Sequence, residues 1–391
     1  MVKKALLIGN HYPHFPEDHQ LRSAYGDVDA VHAFLAHTVG FDDIVQMKDD
    51  IDPDDPQYPS RDNILDALEN LVADAAEGDY LIFHFSGHGS QRDAENDSSE
   101  ADGKDEAIWP ADVEPNEDFT DGFNIILDDD IKANLVIPAA DAGATLVIIL
   151  DCCHSGTGAD LQYSYTDPGE GSISPPKRKL ALRKLIKGGD EYEEGPGAIV
   201  SWAACQDPHI SISLAGSGGF FVKAFIDGFN RNWGATHQQL LHCIKERMVQ
   251  EAQNHFQHLR AARVLTGKQL RMLERWWEKN RSEPVLGVLY NEARVLVTPV
   301  VDTLGYYASS EGVVSALADG ARGFYQDTDF GGDWQDGNDN GFGNSSAGFD
   351  QGTGFDDGWQ NGGMDGNAMA NFAQDFQQDL SQDFGQDSNW F

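Results

Sequence analysis

The sequence predicts an α/β fold in which a mostly parallel central sheet carries helices on both faces. Two observations predict it. Apolar runs of strand length recur through roughly the first 320 residues, and stretches with apolar side chains at three-to-four spacing separate them. The runs are continuously apolar rather than alternating, as strands buried on both faces are.

Taken in order, residues 4–8 form a short apolar run ending in Gly9-Asn10, a first buried strand. Asp27 then opens a helix with Val28, Val31, Phe34 and Leu35 on one face. Ser60 caps a second helix bearing Ile64, Leu65, Leu68, Leu71 and Val72. Residues 80–85 and 145–150 are the next strands, and residues 198–203 and 284–289 the last. Between those last two lie helices marked by Phe221, Phe225 and Phe229, then by Leu240, Leu241, Ile244 and Met248. No internal repeat is visible.

The composition changes sharply once. Beyond Arg322 there is no Lys or Arg, while thirteen Asp appear among many Gly, Asn and Gln. Phenylalanines recur singly there, at Phe324, Phe330, Phe342, Phe349, Phe355, Phe372, Phe376, Phe384 and Phe391, with neither helical nor strand period. Such a segment buries too little apolar surface to offset its chain entropy and reads as a disordered acidic tail.

Charge and cysteine content narrow the function. The 391 residues carry 65 acidic against 27 basic side chains, a net charge of −38, which repels nucleic-acid phosphates. It suits cationic partners instead, such as basic peptides or metal ions. Four cysteines (Cys152, Cys153, Cys205 and Cys243) are too few for a disulfide scaffold of this size. No run approaches the roughly 20 apolar residues needed to cross a bilayer. The opening apolar stretch is too short for a signal peptide, so a cytoplasmic protein without membrane or nucleic-acid partners is expected.

The chemistry is expected where strands end, because in open α/β sheets working residues collect outside the carboxyl ends of the strands. One strand runs into Phe85-Ser86-Gly87-His88-Gly89-Ser90, another into Asp151-Cys152-Cys153-His154-Ser155-Gly156. Glycines flanking a histidine permit a tight turn that exposes the imidazole. A cysteine just past a buried strand can face the same cleft, and an imidazole beside a thiol makes it a strong nucleophile.

These two motifs, 65 residues apart from histidine to cysteine, resemble those of the metacaspases, the caspase-like cysteine peptidases of fungi, protists, plants and bacteria. The resemblance spans residues 3–300 and includes Leu7-Ile8-Gly9-Asn10, Gly26-Asp27-Val28 and Asp102-Gly103-Lys104-Asp105-Glu106-Ala107. It implies a caspase-like catalytic domain over residues 1–300. Within it lie a large portion (1–170), a basic connecting loop (171–195) and a small portion (196–300). An extension (301–322) and the acidic tail (323–391) follow. By the match, His88 is the general acid/base and Cys153, the cysteine before His-Ser-Gly, is the nucleophile, with Cys152 a bystander.

The family cleaves proteins after Arg or Lys, and two carboxylates offer a physical reason. Asp151 lies two residues before the nucleophile, and Asp27 begins a helix near the same sheet edge. Converging carboxylates would hold a guanidinium through paired, charge-assisted hydrogen bonds. An aspartate-specific pocket would need an arginine there instead. The resemblance also implies calcium as cofactor, with Asp105, Asp129, Asp130 and Asp160 as ligands. The Asp128-Asp129-Asp130 run reads equally as an acidic helix start. Residues 171–189 contain no acid, and the cluster Lys177, Arg178, Lys179, Arg183, Lys184 and Lys187 there is the expected self-cleavage region. Asp207-Pro208-His209-Ile210-Ser211-Ile212-Ser213 departs from a family run that often carries an acid. That departure keeps a different class of function in view, an impaired caspase-fold scaffold binding partners through its acidic tail.

Overall fold

The computed structural model describes residues 1–93, 104–152, 158–167, 177–178, 197–205, 213–214, 218–262, 266–280, 283–289 and 292–305. The acidic tail, Cys153 (the expected nucleophile), and Lys179, Arg183, Lys184 and Lys187 of the basic loop lie outside the described residues.

Fifteen strands are described. They are β1 (Lys3–Gly9), β2 (Asp43–Lys48), β3 (Tyr80–Ser86), β4 (Gly89–Asp93), β5 (Lys104–Ile108), β6 (Glu114–Pro115), β7 (Gly122–Phe123), β8 (Ile126–Leu127), β9 (Thr145–Asp151), β10 (Tyr163–Thr166), β11 (Lys177–Arg178), β12 (Ile199–Ala203), β13 (Ser213–Leu214), β14 (Gly218–Gly219) and β15 (Val285–Val288). Eight of them form one sheet in the order β11-β10-β15-β12-β9-β3-β1-β2. The run from β12 to β2 is parallel, whereas β15, β10 and β11 pair antiparallel beyond it. The expected mostly parallel sheet is present.

Both faces are covered. Helix α1 (Ala24–Ala33) and the helices Phe220–Arg231 and His237–Ala262 bury Val28, Val31, Phe225, Phe229, Leu241 and Ile244 against one face. Helix α2 (Arg61–Val72) and the segment 128–141 bury Ile64, Leu68, Ile131 and Leu135 against the other. Each such side chain contributes about 1.5–3 kcal/mol when fully buried. Ser60 caps α2 as expected, its side chain accepting from the Asn63 N–H at 3.3 Å.

One boundary is corrected. Asp27 does not open its helix, which starts at Ala24; its N–H already bonds the Ser23 carbonyl, and its carboxylate is buried at 2% exposure. That frees the side chain for a longer-range role. Among the elements that escape sequence reading are the edge strand β2, with five of six residues exposed or half-exposed, and the small antiparallel sheet β4-β5-β8. Among the described residues, no helix is long and apolar enough to cross a membrane.

Candidate active site

Parallel pairing sets Gly9 beside Ser86 and Ser86 beside Asp151, so β1, β3 and β9 end level with one another. His88 leaves that edge through Gly87. Gly87 is required by close approach, because a Cβ there would lie 2.6 Å from the Phe85 ring and 2.8 Å from the Tyr12 hydroxyl.

His88 is half-buried and held on several sides. Its backbone N–H donates to the Tyr12 hydroxyl at 2.9 Å, which in turn donates to the Trp109 carbonyl at 2.6 Å. The imidazole lies 4.8 Å from the Tyr12 ring and 5.6 Å from the Trp109 ring, centroid to centroid. Nε2 sits 2.7 Å from the main-chain carbonyl of His19, at the end of the short 3-10 turn Glu17–His19. A carbonyl only accepts, so Nε2 carries the proton, and in the neutral ring Nδ1 presents the lone pair. Burial lowers the imidazole pKa to about 4, against a smaller opposing pull from the His19 carbonyl. The ring is therefore neutral at physiological pH and free to take a proton at Nδ1. Neither His19 nor Tyr12 was legible as a site residue. A carbonyl leaves no trace in side-chain chemistry, and Tyr12 lies 76 residues from its partner.

The two expected pocket acids do converge. Asp27 Oδ1 accepts the Gly219 N–H at 2.6 Å, and Asp27 Oδ2 accepts the Ser86 hydroxyl at 2.8 Å. A Cβ on Gly219 would collide with Asp151 Oδ2 and lie 3.3 Å from Asp27 Oδ2. Both carboxylates thus border the same point of the β14 backbone, at 2% and 7% exposure. Burial first, and the neighbouring Asp151 charge second, push the Asp27 carboxyl well above the usual carboxylate range. Two buried acids facing each other make a place for a cation. Gly219 was not legible as a site residue; the Gly218-Gly219 pair just before the Phe-rich helix is the local mark it leaves in the sequence.

The four expected calcium ligands do not gather. Asp160 forms a buried ion pair with Lys132. Asp130 meets Arg61 at 3.2 Å and accepts the Leu127 N–H at 3.3 Å. Asp105 lies in β5 opposite Arg92, and the Asp129 N–H donates to Asp128 Oδ1 at 3.1 Å. Among the described residues, no group of three or more His, Cys, Asp or Glu is placed to hold a metal ion. Among the described residues these four side chains form no ready-made set of calcium donors.

Lys177 and Arg178, the two self-cleavage candidates within the described residues, lie in β11, paired antiparallel with β10. Cys152 is 2% exposed and packs with Leu150, Ile148 and Ile131 in the apolar face.

The family profile of the metacaspase, peptidase C14 domain matches residues 3–162. Metacaspase-1 of Botryotinia fuckeliana is 31% identical over 283 residues, covering 63% of this chain and 65% of that protein. Metacaspase-1 of Pyricularia oryzae is 31% identical over 281 residues, covering 62% and 68% respectively. The chain thus spans slightly under two thirds of the first relative's length. A crystal structure of caspase-1 from Spodoptera frugiperda matches at 11% identity and a TM-score of 0.38, covering 63% of this chain and 75% of that one.

Proposed function

The chain belongs to the metacaspase family, and from that premise we propose that it is a cysteine endopeptidase cleaving proteins after Arg or Lys. The observation that carries the specificity is the buried pair Asp27 and Asp151 facing one point at Gly219. Without a cation the pair is electrostatically unfavourable. A guanidinium or ammonium from the substrate supplies the missing charge and the donors.

In this reading the Cys153 thiol gives its proton to Nδ1 of His88 and attacks the scissile carbonyl. His88 then protonates the leaving amine and later takes a proton from the water that hydrolyses the acyl-enzyme. Backbone N–H groups near Gly89 and Cys153 stabilise the oxyanion. The His19 carbonyl holds the ring in the tautomer this sequence needs. A fluorogenic screen of peptides ending in Arg, Lys, Asp or Leu tests the reading. Cleavage after Arg and Lys supports it, and a preference for Asp or Leu overturns it.

The pocket charge gives a pH dependence with a definite sign. Protonation of the acid pair competes with the substrate cation, so KM for an Arg peptide should rise as pH falls. His88, with its pKa near 4, contributes no such limb between pH 5 and 8. A citrulline-ended peptide, neutral but nearly isosteric, should bind weakly at every pH and show no acid limb. An equal limb for both peptides would place the titration elsewhere.

Gly219→Ala should lower kcat/KM for Arg peptides at least about 100-fold, because the added methyl intrudes between the carboxylates. Reactivity of Cys153 toward iodoacetamide should change little. A variant with normal Arg cleavage would separate β14 from the pocket.

The basic segment supports self-processing as the finer part of the reading: six cationic side chains lie between residues 177 and 187 of a chain with net charge −38. Because β11 pairs Lys177 and Arg178 into the sheet, cleavage is expected among Lys179, Arg183, Lys184 and Lys187. Incubating wild type and Cys153→Ala, then measuring intact mass, should give fragments only from the former. A wild-type chain that stays whole while fully active contradicts self-processing.

A further inference from the structure

The Lys132–Asp160 ion pair, at 3% and 2% exposure, ties the helical segment 128–141 to residues 158–161, the described stretch that follows Cys153 in sequence, and nothing in the proposed reaction uses it. Asp160 ends the short stretch following residues 153–157, seven positions after Cys153. Its φ of +42° is left-handed, a conformation an aspartate keeps only when its surroundings hold it. On the other side, Lys132 opens a π-helical stretch, Lys132–Val136, inserted between α3 (Asp128–Ile131) and α4 (Ile137–Asp141). Such wide turns are uncommon and recur at functional sites. Ile131 and Leu135 from this segment pack in one apolar cluster with Cys152, Ala159 and Leu161, the residues on either side of 153–157.

Glu106 and Asp128, both at most 2% exposed, line a crevice together with Cys152 and Gly158. A lone carboxylate is not kept charged in such a place without a cation. We propose that Lys132 is a positioning residue of the peptidase: its ammonium is the resident cation that fixes Asp160, and through it the chain leading from Cys153. It does at Asp160 what a bound divalent ion was expected to do. The inference rests on Cys153 as the nucleophile.

Four proteins test it: wild type, Lys132→Arg, Lys132→Met and Lys132→Met/Asp160→Asn. Three quantities are measured on each: Cys153 alkylation by iodoacetamide, read by peptide mapping; hydrogen exchange in peptides spanning 158–161; and kcat and KM on an Arg peptide. Melting temperature is followed in parallel.

Lys132→Met should slow Cys153 alkylation and lower kcat by about 10-fold or more, leave KM within about 3-fold, and speed exchange at 158–161. Lys132→Arg should retain most of both rates. The double variant removes the uncompensated charge, so its melting temperature should recover while alkylation and kcat stay low. Wild type should alkylate at the same rate in chelator and in millimolar calcium. Wild-type alkylation in Lys132→Met would overturn the proposal, as would a double variant that recovers rate together with stability, or a wild type whose Cys153 reacts only with calcium present. Should wild type cleave no peptide at all while the alkylation and exchange patterns hold, the peptidase reading fails and the positioning role of Lys132 stands.

Discussion

Cys153→Ala is expected to abolish peptidase activity, whereas Cys152→Ala keeps most of it. The two cysteines are adjacent, and a thiol is the only nucleophile the reaction has, so the first substitution removes the covalent step itself. The second acts on packing. Cys152 is buried among Leu150, Ile148 and Ile131, and trimming it to alanine costs roughly 1–2 kcal/mol of stability without touching the chemistry. Initial rates on an Arg peptide, paired with melting curves, separate the two effects. Reversed phenotypes would assign the nucleophile to Cys152.

Asp27→Asn and Asp151→Asn should each lower kcat/KM for Arg peptides by about 30- to 5,000-fold, equivalent to about 2–5 kcal/mol for truncating one partner of a buried charge pair. The same substitutions should raise the melting temperature at neutral pH. Asp27 holds its proton in the folded chain to a higher pH than an unfolded carboxyl does. Folding stability therefore falls as pH rises from the ordinary carboxylate value, near 4, toward the raised folded value. Asparagine carries no such charge, so the loss disappears. The two opposite signs are diagnostic, because a variant that merely damages the fold lowers both activity and melting temperature. Unchanged kcat/KM in both variants removes the pair from substrate recognition.

The parallel core of the sheet was legible because β1, β3 and β9 are continuous apolar runs, the pattern of strands with both faces covered. The sheet margins were not. Strand β2 alternates only weakly and is largely exposed, and β10 (Tyr-Ser-Tyr-Thr) has no apolar run to mark it. Site residues at strand ends followed the same division. His88 and Asp151 follow apolar strands directly, and their glycine and cysteine neighbours mark them in the sequence. Gly219 reaches Asp27 across 192 residues, and His19 acts through a carbonyl that any residue type would supply. The calcium expectation carried four acids over together from the family resemblance. It could not see that Lys132 lies against Asp160 or Arg61 against Asp130, because those contacts depend on how α2 and the segment 128–141 pack.

The central claim, a cysteine nucleophile served by a cation-selective pocket, is tested most directly by covalent capture. The chain is incubated with peptide chloromethyl ketones ending in Arg or in Asp, and the modified residue is located by peptide mapping. Stoichiometric alkylation of Cys153 by the Arg reagent, slow or absent alkylation by the Asp reagent, and loss of the selectivity in Asp27→Asn are expected. Faster capture by the Asp reagent, or an Arg reagent attached at any residue other than Cys153, would contradict it.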